Sequence, residues 1–203
     1  MEPNDATTDD DRDWELFLQA DPGDQNAFRE LVGRHFRAAI GFCTQVLNDP
    51  QLAEDVVQKG FVKLFGARDR YSRQARFRTL LFRVLLRLCI NELQRKKVAR
   101  PFTDLEDEES EPIQSRIKDG RGELPEEEVE RKELGEMIRA AVMTLNPKHR
   151  AALYLREYEQ LAYADVATAL DATLSEVKIW IHRGRQAVQQ RLRPYLERGE
   201  RVR

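Results

Sequence analysis

The chain has 203 residues, enough for one large or two small domains, and its 41% apolar and 34% charged residues predict a water-soluble protein. No apolar run approaches the roughly 20 residues of a membrane span, and the acidic start, MEPNDATTDDDRDWE, is not the pattern of a signal peptide. The net charge is only −2, but it is segregated: Met1–Glu15 holds seven acids against one arginine, Arg68–Arg100 eleven Lys/Arg against two acids, and Pro101–Glu130 twelve acids against three basic residues.

In chain order, residues 1–12 read as a disordered acidic N-terminus. Trp14, Leu16, Phe17 and Leu18 begin a short helix. Asp24 is placed to cap a second helix, from about Gln25 to Leu47, with Phe28, Leu31, Val32, Phe36, Ile40 and Val46 as its apolar face. Asp49 and Pro50 are the cap and first position of a third, on which Val56, Phe61, Leu64 and Phe65 recur at helical spacing. A loop from Ala67 to Ala75 carries Arg68, Arg70, Tyr71 and Arg73.

A fourth helix follows from about Arg76. Arg76, Arg83, Arg87 and Gln94 fall within roughly 20° of one line along it. Phe77, Leu81, Val84, Leu85, Leu88 and Ile90 occupy the other sides, so the spacing predicts a largely buried helix with one arginine stripe. A basic stripe by itself is most often a solvated face. Two features favour phosphate binding instead: arginine rather than lysine dominates, and arginine is the better bidentate phosphate ligand. Aromatic residues also lie among the charges, as stacking on single-stranded bases requires. Cys43 and Cys89 lie far apart in sequence within apolar helical patterns and read as buried thiols of a reducing cytosol.

Pro101 closes this first domain, residues 13–100. Residues 101–124 are polar, acidic and broken by Pro and Gly, the composition of a flexible linker. A second domain, residues 125–197, opens with an amphipathic helix whose first turn is acidic, and a tail of 198–203 follows it. Asn146-Pro147 then caps and starts PKHRAALYLREYEQL. The stretch ADVATALDATLSEVKIWIHRGR has helix-turn-helix spacing: Val166 and Leu170 point inward from one helix, Val177 and Ile181 from the next, and Ala167 is small where they cross. Asp171 takes the turn position, where a left-handed backbone is needed and Asp is tolerated. Thr173 and Glu176 have capping-box spacing. A structural helical hairpin is the plain alternative for such a pattern taken alone. The fold class is all-α, two small helical domains joined by an acidic linker.

Two stretches resemble a known family. LNDPQLAEDVVQKGFVKLF with FRTLLFRV and its basic end resembles region 2 of bacterial sigma-70 factors, and LNPKHRAALYLREYEQLAYADVATALDATLSEVKIWIHRGRQAVQQRL resembles region 4. In order, they cover about four-fifths of the chain, and the small extracytoplasmic-function (ECF) group is the branch they resemble. The resemblance implies a helix docking on core RNA polymerase through Asp55, Gln58 and Phe61. It implies a loop and helix that capture and melt the promoter −10 element, here Arg70, Tyr71, Arg73, Arg76, Arg83 and Arg87. It places Glu176, Lys178, Arg183 and Arg185 at the −35 element. An anti-sigma protein is an implied partner, and the linker is implied to thread the RNA exit region. The chain departs from the family at Lys59, Gly60, Leu80, Arg87, Ile179 and Trp180; of these, Trp180 is expected in the core, with a DNA-facing wedge as the alternative.

The leading function is therefore a cytoplasmic sigma factor that binds core polymerase and promoter DNA. The alternative is a helix-turn-helix regulator that binds duplex DNA without melting it. An enzyme is not expected: His35, His149 and His182 form no ligand-like spacing, and no Gly-rich phosphate loop is present. His35 is expected to be a partly exposed helix residue. No cofactor, metal, small-molecule substrate or membrane insertion is expected.

Overall fold

The computed structural model describes residues 5–20, 26–99 and 126–199. Among them are eight α-helices and no strand: α1 Asp5–Gln19, α2 Asn26–Leu47, α3 Pro50–Gly66, α4 Phe77–Ala99, α5 Glu126–Met143, α6 Pro147–Glu157, α7 Tyr163–Leu170 and α8 Leu174–Gly199. A short 3-10 turn, Arg68–Arg70, lies between α3 and α4. The expected linker, residues 101–124, and the expected cap at Asp24 lie outside the described residues, as do the chain ends at 1–4 and 200–203.

The local signals of α3 work as read. Asp49 Oδ1 accepts from the Leu52 backbone N–H at 3.0 Å, and Pro50 takes the first position. Asn48, in the left-handed region at φ 54°, ends α2 and turns the chain into that cap. Lys96 reaches the other Asp49 oxygen at 2.8 Å and ties the end of α4 to the start of α3. Gly60 has a packing reason: a Cβ there would meet Leu85 Cδ2 at 2.6 Å, so with this Leu85 position α3 lies against α4 where a larger residue would force Leu85 to move. Lys59 beside it points outward and pairs with Glu92 at 3.5 Å.

The N-terminus differs from expectation. α1 begins at Asp5, within the stretch read as disordered. An acidic run repels itself; here its partners come from elsewhere in the chain. Arg34 bonds Asp9 and Asp13, each at 2.7 Å, and Arg12 bonds Glu30 at 3.2 Å. His35, expected to be partly exposed, is buried, with Nε2 2.7 Å from Asp13 Oδ2. A histidine on an apolar helix face can be buried when a carboxylate comes to meet it, and Asp13 does.

Phe17, Phe42, Phe77 and Phe82 form the aromatic centre of α1–α4, with Leu31, Leu64, Leu81 and Leu85 around them. Each such side chain contributes roughly 1.5–3 kcal/mol by leaving water. Phe36, read as part of the apolar face of α2, is instead 42% exposed. Cys43 and Cys89 are free, fully buried and in contact; hydrogen bonding to Cys89 and burial push the Cys43 thiol up, out of reach of ionisation.

In the second group, Asn146 accepts from the Lys148 N–H at 3.0 Å and starts α6. Asp171 is left-handed, at φ 53° and ψ 54°, between α7 and α8. The capping box closes in both directions: Glu176 N–H donates to Thr173 Oγ1 at 3.2 Å, and Thr173 N–H donates to Glu176 Oε2 at 2.8 Å. Val166, Leu170, Val177 and Ile181 are buried, and Ala167 lies at the crossing.

The two groups pack on each other, α6 against α2 and α7 against α4. Tyr154 stands over Gly41, where a Cβ would collide with its hydroxyl, and meets the Phe42 ring edge-on at 5.9 Å. Arg150, 8% exposed, donates Nη2 to the Val46 carbonyl at 2.9 Å.

Candidate nucleic-acid interface

The loop between α3 and α4 is short of internal bonds, so its shape is set by its neighbours. The 3-10 turn closes its first half, with the Arg68 guanidinium 5.2 Å over the Phe65 ring. Arg70 is exposed. The Tyr71 ring is half-buried and tilted against Phe17 at 6.2 Å. Arg73 is exposed but paired, with Asp11 and with Asp10 at 3.5 Å. Phe77 is fully buried among Trp14, Phe17 and His35, and so presents nothing to a ligand.

The arginine stripe of α4 exists as one line, and α7 covers one side of it. Arg76 is 3.9 Å from Asp165, Arg83 Nε donates to the Thr168 carbonyl at 3.0 Å, and Arg87 is 3.7 Å from Asp171. Arg78, next to the stripe, pairs with Glu159. All of these partners belong to α7 or the turns flanking it. Arg76 and Arg87 keep 46% and 64% of their side chains exposed, so the cover is one-sided. Sequence reasoning found the stripe and missed its cover. A signal was available: Asp165, Thr168 and Asp171 recur every third residue, a polar edge opposed to a basic one.

On α8, the inner line is Val177, Ile181 and Gly184, the last of which lets Leu153 approach to 3.1 Å of a Cβ position. The opposite face presents Ser175, Ile179, His182 and Arg183, all exposed, with Lys178 on one flank. Lys178 and Arg183 form no ion pair with another described residue. Glu176 and Arg185 are engaged: Glu176 in the cap, whose hydrogen bonds from Thr173 hold its carboxyl below the usual range, and Arg185 with Glu157 at 2.7 Å. Trp180, expected in the core, lies half-buried at its edge. His149 stacks on it at 5.5 Å, and Lys148 Nζ stands 5.9 Å over the ring. Burial and the Arg183 charge push His149 down, favouring its neutral form. Lys148 and His149 lie in the first turn of α6, so this ring is on the flank of α8 nearest the start of α6.

On α3, Asp55 and Gln58 are exposed, whereas Phe61 is 4% exposed and packs edge-on against Phe28 at 6.3 Å. The outward part of that triplet is therefore polar. Val62, 69% exposed, lies one turn from Gln58 on the same outer face. It escaped sequence reasoning, although an apolar residue outside the buried stripe was the signal. Among the described residues there is no group of metal-ligating side chains and no helix long and apolar enough to cross a membrane.

Two basic surfaces thus lie on separate helix groups, one beside an aromatic loop and one on the outer face of a helix-turn-helix. Comparison with known proteins gives the same division. The Sigma-70 region 2 model matches residues 31–98, and the Sigma-70, region 4 model matches residues 135–188. The chain is 30% identical to the RNA polymerase sigma-H factor of Pseudomonas aeruginosa, over 92% of this chain and 96% of that one. It is 29% identical to the ECF RNA polymerase sigma factor SigW of Bacillus subtilis, over 86% and 94%. Its fold is similar to CnrH, solved in complex with the cytosolic domain of CnrY, at a TM-score of 0.64 and 23% identity, covering 90% of this chain and 98% of that one. It is also similar to the sigma factor RpoE of Bartonella quintana, solved with the anti-sigma factor NepR, at a TM-score of 0.59 and 20% identity, covering 82% and 96%. With both conserved regions matched in order along nearly the full length of such relatives, the chain belongs to the sigma-70 family, as an ECF RNA polymerase sigma factor.

Proposed function

We propose a division of labour among named residues. Asp55 and Gln58 of α3, with Val62 beside them, face core polymerase, and Phe61 supports that surface from beneath. Arg70, Tyr71 and Arg73 of the loop hold the separated −10 strand, and Arg76, Arg83 and Arg87 neutralise its phosphates. Lys178 and Arg183 read the −35 element. Glu176 contributes by starting α8, and Arg185 reaches DNA only by leaving Glu157. The domains divide at residues 101–124, and the protein works in the cytoplasm as an initiation factor rather than an enzyme.

The observation that carries this reading is the pairing of an aromatic, arginine-lined loop with a separate helix whose Lys178 and Arg183 form no ion pair among the described residues. The first arrangement suits single strands, by stacking and charge. The second suits a major groove, where an arginine can grip a guanine edge. Because α7 covers the α4 stripe, promoter use requires α7 to leave α4. A protein of the kind that holds CnrH or RpoE would find this closed arrangement ready-made, and we extend that partner class to this chain.

The test is permanganate reactivity of promoter thymines with core polymerase and this protein. Thymines near the start site become reactive, and combining Tyr71→Ala with Arg73→Ala lowers that signal while −35 protection survives. Protection of duplex DNA without polymerase, and no reactive thymine with it, would mean a helix-turn-helix regulator instead.

A further inference from the structure

The first turn of α4 has no local cap: the residue before it is Arg76, whose side chain cannot accept a hydrogen bond from the helix. The acceptor comes from 67 residues away. Asp10 Oδ1 accepts from the Phe77 N–H at 2.7 Å. One turn along α1, Trp14 Nε1 donates to the Ala75 carbonyl at 3.0 Å, on the last stretch of the loop. Phe17, again on α1, supports the Tyr71 ring at 6.2 Å and Phe77 at 5.3 Å. Asp10 and Asp11 hold Arg73. The loop between the 3-10 turn and α4 is thus fixed at two backbone points and two side chains, all from one face of α1.

Within the loop itself, the last backbone bond is Gln74 N–H to the Ser72 carbonyl at 2.8 Å. The Arg76 carbonyl accepts from the Leu80 N–H at 3.2 Å, but the bonds to the Ala75 carbonyl and the Phe77 N–H come from α1. Without α1, the Phe77 N–H at the start of α4 would lose its acceptor and the Tyr71 ring would lose its backing. We infer that α1 is the template of the strand-capturing loop, with Asp10 and Trp14 as positioning residues for promoter melting. This rests on the reading of Tyr71 and Arg73 as strand contacts. It assigns the acidic N-terminus a role in opening DNA that its charge, repelled by phosphate, would not suggest.

The experiment uses the full chain bound to core polymerase, with three readouts: permanganate reactivity, −35 protection and retention on core. Asp10→Ala should lower thymine reactivity about fivefold, the size of a lost N-cap. Asp10→Asn keeps an oxygen for the Phe77 N–H and should restore the signal. Trp14→Phe keeps the ring packing, removes the donor and should lower reactivity about threefold, as one lost hydrogen bond does. In each case −35 protection and core retention stay at the original level, which a general loss of folding would not allow. The combined Tyr71→Ala and Arg73→Ala variant is the control. If the control leaves reactivity unchanged, the loop reading itself fails, and the inference with it. If the control lowers it while Asp10→Ala and Trp14→Phe do not, the loop reading stands and the template is wrong. Equal loss in Asp10→Asn and Asp10→Ala, or loss of all three readouts together, also overturns it.

Discussion

Along α4 and at its start, Arg76, Arg83 and Arg87 each meet Asp165, Thr168 or Asp171, whereas on α8 Lys178 and Arg183 meet no acid among the described residues. Both surfaces are arginine-bearing helix faces of similar chemistry. They differ in what the rest of the chain places opposite them. The face suited to separated strands is covered by the neighbouring group, and the face suited to duplex is left open. Charge pattern identifies a binding surface; only the packing of other elements says whether that surface is available. In this sigma factor the covering element, α7, is also half of the helix-turn-helix, so the two proposed DNA surfaces share one short helix.

The largest expected effect falls on the open face. Arg183→Ala should weaken −35 binding by about 1–3 kcal/mol, roughly 5- to 150-fold, if the side chain grips a guanine edge. Titration of promoter variants with the holoenzyme checks it, and the preference at one base pair should relax. A uniform loss across all sequences would reduce Arg183 to a phosphate contact and narrow the contrast with α4.

A smaller effect separates Glu176 and Thr173 from the free side chains of α8. Thr173→Ala removes one side of the capping box and should lower stability by about 1 kcal/mol in thermal unfolding. The base preference of the −35 reader should not change. A changed preference would return this corner of α8 to direct readout.

Smaller again is the release of α7 from α4. Exposed ion pairs are worth about 0.2–1 kcal/mol each, so Asp165→Asn with Asp171→Asn should loosen the cover without unfolding either group. Asn also tolerates the left-handed backbone at 171. The free chain should then bind non-specific DNA with a steeper salt dependence, by about 0.9 log–log unit for each phosphate newly neutralised. An unchanged slope would show that the remaining contacts of α7 hold the cover alone.

Acid should act on the α4 side first. Burial pushes the Asp13 carboxyl up, but His35 and Arg34 outweigh that and hold it below its usual value of 3.8. The stability from this pair is fully present above that value and is lost as pH falls through the lower, folded one. The chain has two tryptophans, Trp14 in one helix group and Trp180 in the other. Fluorescence of Trp180→Phe and Trp14→Phe chains therefore follows each group separately. Below about pH 4, the Trp14 signal should move first, and Asp13→Asn should remove that lead.

What was legible in the sequence had local causes. The caps at Asp49, Asn146 and Thr173 and the left-handed Asp171 depend on neighbours within four residues, and each is found where the spacing put it. The inward residues of the helix-turn-helix follow from helical period alone. What was missed depends on distant partners. The acids of α1 look like a disordered run until Arg34, His35, Arg73 and the Phe77 N–H are brought to them. Phe61 matches a polymerase-facing pattern, but its ring meets Phe28 on another helix. Cys43 and Cys89 are 46 residues apart in the chain and adjacent in the core. Periodicity gives the side of a helix a residue is on; it does not give what lies across from that side.

Arg150 bears on how the two helix groups part. Its guanidinium is buried at the C-terminal end of α2, where free carbonyls favour a cation, yet Nε finds no partner and burial pushes its pKa down. A seam of apolar side chains alone would resist separation in proportion to the area it hides. With a charged group inside it, rehydration on opening offsets part of that resistance. The closed form is held by shape, through Tyr154 over Gly41 and α7 over α4, while solvation pulls the other way. Such a joint would yield to less binding energy on either half than an all-apolar seam of equal area.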